Sequence, residues 1–484
     1  MPLSRRQLLS SAALATATVA SNIAQAPFSF ASDETAKTEK KNAAPDQPNA
    51  FRHRSYLGWI TDLASRGEPT TAWPSMRLDE ELLADYAESF AAMKALGYNE
   101  IAIWGLYVTH AWPLKLADAV TPERGKLVER LIDLAHAQNI KVVSGLGIYS
   151  WGYEAIIRDN PALAPDKKHP LAMCGSDPNA WDWVQRVIDF AFTRFPIDGV
   201  SMQSADAGRC RCPKCSQHTP VEYDALVNIR AAEHIRSRWP GKIVGVSSWG
   251  MNFSDPAAAE PLVRLSKPLD YLIDVNNTSG IRGREARKQL ISSLKCDFGT
   301  LGGPQVEPPQ HWARDRWFLP TLKRTADHLS KLAADGGRAC EYYYHIRANP
   351  GDAASMAMAG RLLTNPTGDW KSQAAEAVQS VYHLPTDTQQ AEMLQIVLDA
   401  EEAYFKQLGP FCGTMSLEPL VGDKVGPPIY LKDRLTTTAR REYAADLKQL
   451  SARVEKLRAG NKENKLLALT AKCLENVQGD LEKL

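Results

Sequence analysis

The sequence has no surplus of charge of either sign: 57 lysines and arginines face 56 acidic residues, a net of +1. Such a chain offers no basic field for nucleic acid or an anionic membrane surface, so its partner should be neutral or small. It also lacks any run of about twenty strongly apolar residues, the length a helix needs to cross a bilayer. No glycine-rich phosphate loop follows the first strand pattern, which removes the usual sign of a nucleotide-binding open sheet. What is present is the mixture of a soluble globular chain, 44% apolar and 23% charged. Its 484 residues suit a barrel of about 250 residues with additions.

Residues 1–31 read as an export signal. Ser4-Arg5-Arg6-Gln7-Leu8-Leu9 precede a mildly apolar Ala/Ser/Thr/Val/Leu stretch to Ala20, and adjacent arginines match the twin-arginine type. Ser29-Phe30-Ala31 places small residues where a signal peptidase inspects the chain. Ala24-Gln25-Ala26 is the rival site, weakened by Pro27. The competing reading, an uncleaved membrane anchor, meets a run that is short and rich in Ala and Ser. Residues 32–50 are polar and charged and read as a disordered linker. The expectation is a periplasmic or secreted protein, free of the membrane after signal cleavage.

From Tyr56 onward, short apolar runs alternate with amphipathic stretches eight times. The runs are Tyr56–Asp62, Glu100–Tyr107, Lys141–Trp151, Asp198–Asp206, Lys242–Gly250, Asp270–Asn277, Asp297–Gly303 and Ala339–His345. Between them, Asp79–Leu96, Pro122–Gln138, Asn179–Phe195, Val221–Trp239 and Trp317–Asp335 carry apolar residues at helical spacing. Gly97 and the Gly336-Gly337 pair stand where helices should end. Eight strand–helix units predict an α/β fold, a closed (β/α)8 TIM barrel over residues 51–369, because closure leaves no exposed sheet edge. An open doubly wound sheet is the alternative. Residues 370–484 predict a helical C-terminal extension broken at Gly409–Pro428. Strand alternation predicts Val244 and Val246 facing the helices, with Gly245, Ser247 and Trp249 toward the axis. The same logic turns Leu272, Asp274 and Asn276 inward.

Three of the eight cysteines fall in Cys210-Arg211-Cys212-Pro213-Lys214-Cys215, after the fourth strand. C-x-C-x-x-C spacing brings three thiolates within reach of one tetrahedral ion. Cys174, on the loop after the third strand, is the expected fourth ligand of a structural zinc, since neighbouring loops of a barrel meet; His218 is the other choice. Disulfides and free thiols remain open, although Cys210 and Cys212 are too close for an easy mutual bridge. Cys296 and Cys340 lie in strand patterns as core residues.

The segment Ser204-Ala205-Asp206-Ala207-Gly208-Arg209 before this run, with Cys174-Gly175-Ser176-Asp177-Pro178 upstream, resembles a group of uncharacterised bacterial glycosyl-hydrolase-like barrel domains. More distantly it is similar to the zinc-containing β-galactosidases of glycoside hydrolase family forty-two. The resemblance covers residues 50 to 370 and implies hydrolysis of glycosidic bonds in an extracytoplasmic glycan or oligosaccharide. It places Asp206 where those enzymes carry their acid/base, although they have Asn-Glu where this chain has Ala205-Asp206. Glycoside hydrolysis commonly uses two carboxyl groups flanking the scissile bond. Related retaining barrels keep a nucleophilic Glu at the end of strand seven; here Gly299-Thr300-Leu301-Gly302-Gly303-Pro304 carries no acid, and the next is Glu307. Asp274, Glu341 and Asp62 are the remaining candidates, with Glu341 early enough in its strand to be buried. A water-activating base or substrate-assisted chemistry would remove the need for a strand-seven nucleophile.

Sugar rings present C–H faces and hydroxyls together, which suits aromatic rings with polar rims. Trp104, Tyr107, Tyr149, Trp151, Trp249, Tyr343 and Tyr344 fall at or near carboxyl ends of strands, with Asn276, Asn277, His345 and Arg347 able to bind hydroxyls. About half of the aromatics should line a pocket and the rest fill the core. Two other functions stay open: a catalytically silent barrel that binds carbohydrate, suggested by the missing strand-seven acid, and a hydrolase with zinc at its active site. Four thiolates argue against the latter, since a filled tetrahedron leaves no position for water.

Overall fold

A computed structural model of the chain describes residues 50–61, 76–107, 111–205, 208–248, 251, 253, 255–275, 284–301, 317–343, 350–408 and 436–482. Eight parallel strands form the barrel: β1 His53–Thr61, β2 Glu100–Trp104, β3 Lys141–Gly147, β4 Gly199–Gln203, β5 Ile243–Ser247, β6 Tyr271–Asp274, β7 Asp297–Thr300 and β8 Ala339–Tyr343. Each pairs with the next, and β8 returns to β1, so the ring is closed. Ser55 of β1 sits in register with both Glu100 of β2 and Glu341 of β8. A two-residue strand, Met76–Arg77, pairs in parallel with the end of β1.

The helices are α1 Glu80–Ala95, α2 Pro122–Ala137, α3 Glu154–Asp159, α4 Pro178–Arg194, α5 Pro220–Arg238, α6 Ala259–Ser266, α7 Arg284–Ser293, α8 Leu322–Ala334 and α9 Pro350–Thr364. Three begin with the same device. Thr121-Pro122, Asp177-Pro178 and Thr219-Pro220 each place a side-chain oxygen on an early helical N–H and a proline in the first turn. Both features suit a helix start, where the first N–H groups have no intrahelical partner. Gly97 and Gly336 follow α1 and α8 with φ of 90° and 99°, the left-handed ends that their sequence positions predict. The helix expected from Trp317 begins only at Leu322, because Pro320 disfavours helical geometry at the residue before it.

Two apolar layers hold the barrel. Val142, Val200, Met202, Val244, Val246, Leu272 and Phe298 belong to the layer between sheet and helices. Ala102, Trp104, Val143, Ile243, Tyr271, Ile273, Val275, Leu301 and Ala339 pack together inside the ring. Rings fill the space that glycines leave: the Trp104 indole lies where a side chain on Gly145 would stand, and the Tyr271 ring where one on Gly245 would stand.

The C-terminal extension comprises α10 Trp370–Tyr382, α11 Asp387–Leu408, α12 Thr437–Ala459 and α13 Lys465–Glu482. It is docked by polar bonds as well as packing. Thr321 makes no side-chain cap on α8; the buried carboxylate of Glu401 accepts instead from the N–H groups of Lys323 and Arg324, at 2.9 and 2.8 Å. Trp317 Nε1 donates to Asp480 Oδ2 in α13 at 2.9 Å. No described helix is long and apolar enough to cross a membrane. The signal and linker, residues 1–49, lie outside the described residues.

Candidate functional site

The loops after β3 and β4 meet at four cysteines. Cys174 comes from the first loop, Cys210, Cys212 and Cys215 from the second, and all four sulfurs lie within 4.8 Å of one another. Cys174 Sγ stands 3.7 Å from Cys212 Sγ and 3.6 Å from Cys215 Sγ. Four sulfurs at about 2.3 Å from one zinc ion would be about 3.8 Å apart, whereas a disulfide is about 2.0 Å long. All four are free thiols, three of them buried. The four sulfurs are close enough together to hold a metal ion. His218, the other choice for a fourth ligand, lies instead beside Glu222 of α5, its Nδ1 3.5 Å from that carboxylate.

The donor set asks for positive charge. Cys174, accepting hydrogen bonds from Cys210 and its neighbours, is drawn down to about 5. Cys215 is pushed up to about 11 by burial, and Cys210 is raised by its hydrogen bond to Cys174. Four thiolates gathered in one cluster would require a cation to offset their charge. Contacts around the cysteines lock the same two loops. Asp166 accepts from His169 Nδ1 at 2.9 Å and from the Arg211 N–H at 3.0 Å. Ser176 Oγ lies 3.3 Å from Cys215 Sγ.

Of the three acids expected at the site, Asp206 lies outside the described residues, as do Asp62 and Glu307. Asp274 requires a correction. Tyr271, Ile273 and Val275 pack inside the ring while Leu272 packs toward the helices, so alternation turns Asp274 to the helix side. Its register partner Thr300 bonds outward to His328 of α8 at 2.8 Å, which places that row outside the ring. The inward expectation for Leu272 and Asp274 fails because both faces of a barrel strand are buried and polarity does not tell them apart.

Glu341 does point inward, but deep. Its Oε1 accepts from Ser201 Oγ at 2.8 Å and Tyr271 OH at 3.0 Å, and the side chain is 1% exposed. Glu100, equally buried, takes a bond from His53 Nδ1 at 2.9 Å. Oε2 of each carboxyl has no hydrogen-bond partner among the described residues. Burial pushes Glu341 up to about 7. The burial of Glu341 was expected from its place in the strand; its partnership with Glu100, Ser55 and Ser201 in a polar floor was not. The only sequence signal of that floor is an acid within each of two otherwise apolar strands.

The aromatics divide. Trp104 and Trp151 meet edge to face, centroids 5.4 Å apart, against the apolar layer inside the ring. Tyr107 is in the core: its hydroxyl donates to the Ala191 carbonyl of α4 and its ring packs on Phe195 and Trp112. Tyr149 is buried too, stacked on Trp181 of α4 at 6.5 Å. These two belong to the sheet–helix layer rather than to a pocket. Trp249, Asn276, Asn277, Tyr344, His345 and Arg347 lie outside the described residues, as does the side chain of Tyr343. Two further polar residues near the end of β4, the buried Asp224 of α5 and the partly buried Arg209, form an ion pair. Burial pushes Asp224 up to about 6 even beside that guanidinium.

No family model matches the chain, and no curated protein does. Solved structures do. A mutant of an O-GlcNAc hydrolase from Thermobaculum terrenum superposes with a TM-score of 0.51 at 11% identity, over 89% of this chain and 82% of that one. A GH138 enzyme targeting pectin rhamnogalacturonan II gives 0.52 at 12% identity, over 89% of this chain. The present chain spans 56% of that larger protein. At these identities the likeness is one of fold: this barrel is shared with solved glycoside hydrolases.

Proposed function

We propose that this protein hydrolyses glycosidic bonds in an extracytoplasmic glycan or oligosaccharide. Asp206 serves as general acid at the end of β4, and the four-cysteine site holds a structural zinc ion. The observation that carries the reading is the convergence of the β3 and β4 loops on four thiols. The first of those loops carries Trp151, packed against the apolar layer inside the ring, and the second carries Asp206. The zinc ion would cross-link the two loops with a complete set of sulfur ligands, leaving the chemistry to side chains. Trp151, partly exposed and backed by the buried Trp104, supplies an apolar face for a sugar ring, with Trp249, Asn276, Tyr343 and His345 as further contacts. The motif resemblance to glycosyl-hydrolase-like barrels and to family forty-two supports the same assignment. Export by the twin-arginine route fits a protein that folds and loads metal before leaving the cytoplasm.

A second reading, a carbohydrate-binding barrel without catalysis, is favoured by the orientation of the two candidate acids among the described residues, Asp274 and Glu341. The first faces the helices and the second is sealed in the floor. Substrate-assisted attack, for instance by a 2-acetamido group, would answer that difficulty.

Asp206→Asn assayed on aryl glycosides, including 2-acetamido sugars, and on polysaccharides separates the readings. Loss of a proton-donating acid should lower turnover by about 10²–10⁴-fold. Unchanged turnover excludes Asp206 as the acid. If the wild type turns over nothing yet binds a glycan, the second reading holds.

A further inference from the structure

Two residues outside the ligand set hold the cysteine site crosswise. Tyr223 stands in the first turn of α5, beyond the β4 loop, and is buried. Its hydroxyl reaches back to the β3 loop, where it accepts from the Gly175 N–H at 3.1 Å and donates to the Met173 carbonyl at 3.4 Å. The backbone is thus held on both sides of Cys174. Glycine at 175 permits the approach, since a side chain there would collide with Tyr223 Oη and Val227. Asp166 of the β3 loop works in the opposite direction. Its Oδ2 accepts from the N–H of Arg211, the residue between Cys210 and Cys212, at 3.0 Å. The same carboxylate is fixed within its own loop by His169 Nδ1 and the Lys168 N–H, each at 2.9 Å. Ser216 Oγ donates to the Arg211 carbonyl at 2.8 Å, so Arg211 is tied at its N–H and at its carbonyl.

We infer that Asp166 and Tyr223 are the positioning residues for the metal ligands. Each fixes, from the far side, the backbone that carries cysteines of the opposite loop, and together they set how tightly the ion is kept. The inference rests on the reading of the four cysteines as a metal site and goes beyond it by naming what controls the affinity. The physical basis is geometric. A tetrahedral zinc ion takes its sulfurs at about 2.3 Å, and ligands on two separate loops must otherwise be ordered at the expense of binding. Cys174 has the most to lose. It is the one ligand from its loop, whereas Cys210, Cys212 and Cys215 stay near one another by chain connection. Without the Tyr223 hydroxyl, the Met173 carbonyl and the Gly175 N–H lose their partner, and the loop must rearrange to find others.

The test measures zinc affinity of the full chain by competition with a chromogenic chelator, in wild type, Tyr223→Phe and Asp166→Ala. Tyr382→Phe is the control, since it removes another buried hydroxyl, bonded to Thr470 in the C-terminal extension at 3.0 Å. Losing a hydrogen bond that supports metal ligands weakens binding about 10–100-fold. The zinc Kd should therefore rise about tenfold or more in Tyr223→Phe and in Asp166→Ala, and stay at the wild-type value in Tyr382→Phe. At saturating cobalt, the cobalt–thiolate absorption should match wild type in both variants, because all four sulfurs still bind. A wild-type Kd in either variant overturns the proposal. An equal loss in Tyr382→Phe also overturns it, because the effect would then be one of general stability. A diminished cobalt band at saturation would show a ligand lost rather than misplaced, and overturns the positioning role. If Asp166→Ala does not fold, Tyr223→Phe decides on the same criteria. A wild type that binds neither zinc nor cobalt removes the metal reading itself, a failure seen before any variant is compared, and this proposal falls with it.

Discussion

At the floor of the barrel, Glu341 and Glu100 meet Ser201, Tyr271 and His53 at hydrogen-bonding distance, all but the histidine fully buried. Higher in the ring, Trp104 and Trp151 meet edge to face among Ile273, Val275 and Leu301. The apolar layer separates the carboxylates below from the loops above. An acid inside a barrel is thus no indication of catalysis. What matters is which side of that layer it occupies, and by that measure Glu341 lies with the buried floor, apart from the loops after β3 and β4.

The comparison breaks most easily at the cysteine loops. In small zinc domains, metal binding is worth about 10–16 kcal/mol, so a chelator or Cys212→Ser should release the β3 and β4 loops while the barrel persists. Limited proteolysis should then cut between residues 161 and 219, with far-UV circular dichroism little changed. Loops that stay resistant after chelation would show that no metal holds them. At the floor the loss is of stability. Glu341→Ala leaves the Ser201 and Tyr271 hydroxyls without an acceptor and opens a cavity, destabilising by about 3–5 kcal/mol in urea unfolding. Glu341→Gln, which keeps an acceptor, should lose about 1 kcal/mol. If Glu341→Ala instead abolished turnover at unchanged stability, the division between floor and mouth would be wrong.

The pH dependence sharpens the same contrast. Glu341 titrates at about 7 in the fold against 4.5 for a free side chain, because burial disfavours its charge. Between these values the folded state binds more protons than the unfolded one, so this contribution is complete below about pH 4.5 and lost as pH rises through 7. Over that window it amounts to about 3 kcal/mol. Asp224, raised to about 6, adds in the same direction. Thermal unfolding from pH 4.5 to 8 should show the fall, and Glu341→Gln should flatten it. The smallest effect is expected at the apolar layer itself. Trp151→Ala should weaken glycan binding by about 1–2 kcal/mol, read as a roughly tenfold rise in KM or Kd. An equal loss from Tyr107→Ala at intact stability would contradict its place in the core.

Much of this architecture was legible in the residues. Eight apolar runs separated by amphipathic ones left few alternatives to a closed ring, and Gly97 and Gly336 marked helix ends. The cysteine cluster was legible as well, because C-x-C-x-x-C is local and the neighbouring loop had to supply the remainder. The floor was not legible. Glu100, Glu341, Ser201 and Tyr271 come from four strands far apart in the chain, and no local pattern links them. Asp224 looked like one polar residue on a helix, since its partners lie fifteen and twenty positions earlier.

The sequence by itself determined the number of strand–helix units, the glycines at two helix ends and the four thiols able to share an ion. These follow from spacing along the chain, which needs no knowledge of neighbours. Only the tertiary structure decided which side of each strand faces the axis, and so sent Asp274 to the helices and Glu341 to the floor. The reason is that both sides of every barrel strand are buried, so alternation alone cannot distinguish the inside of the ring from its outside.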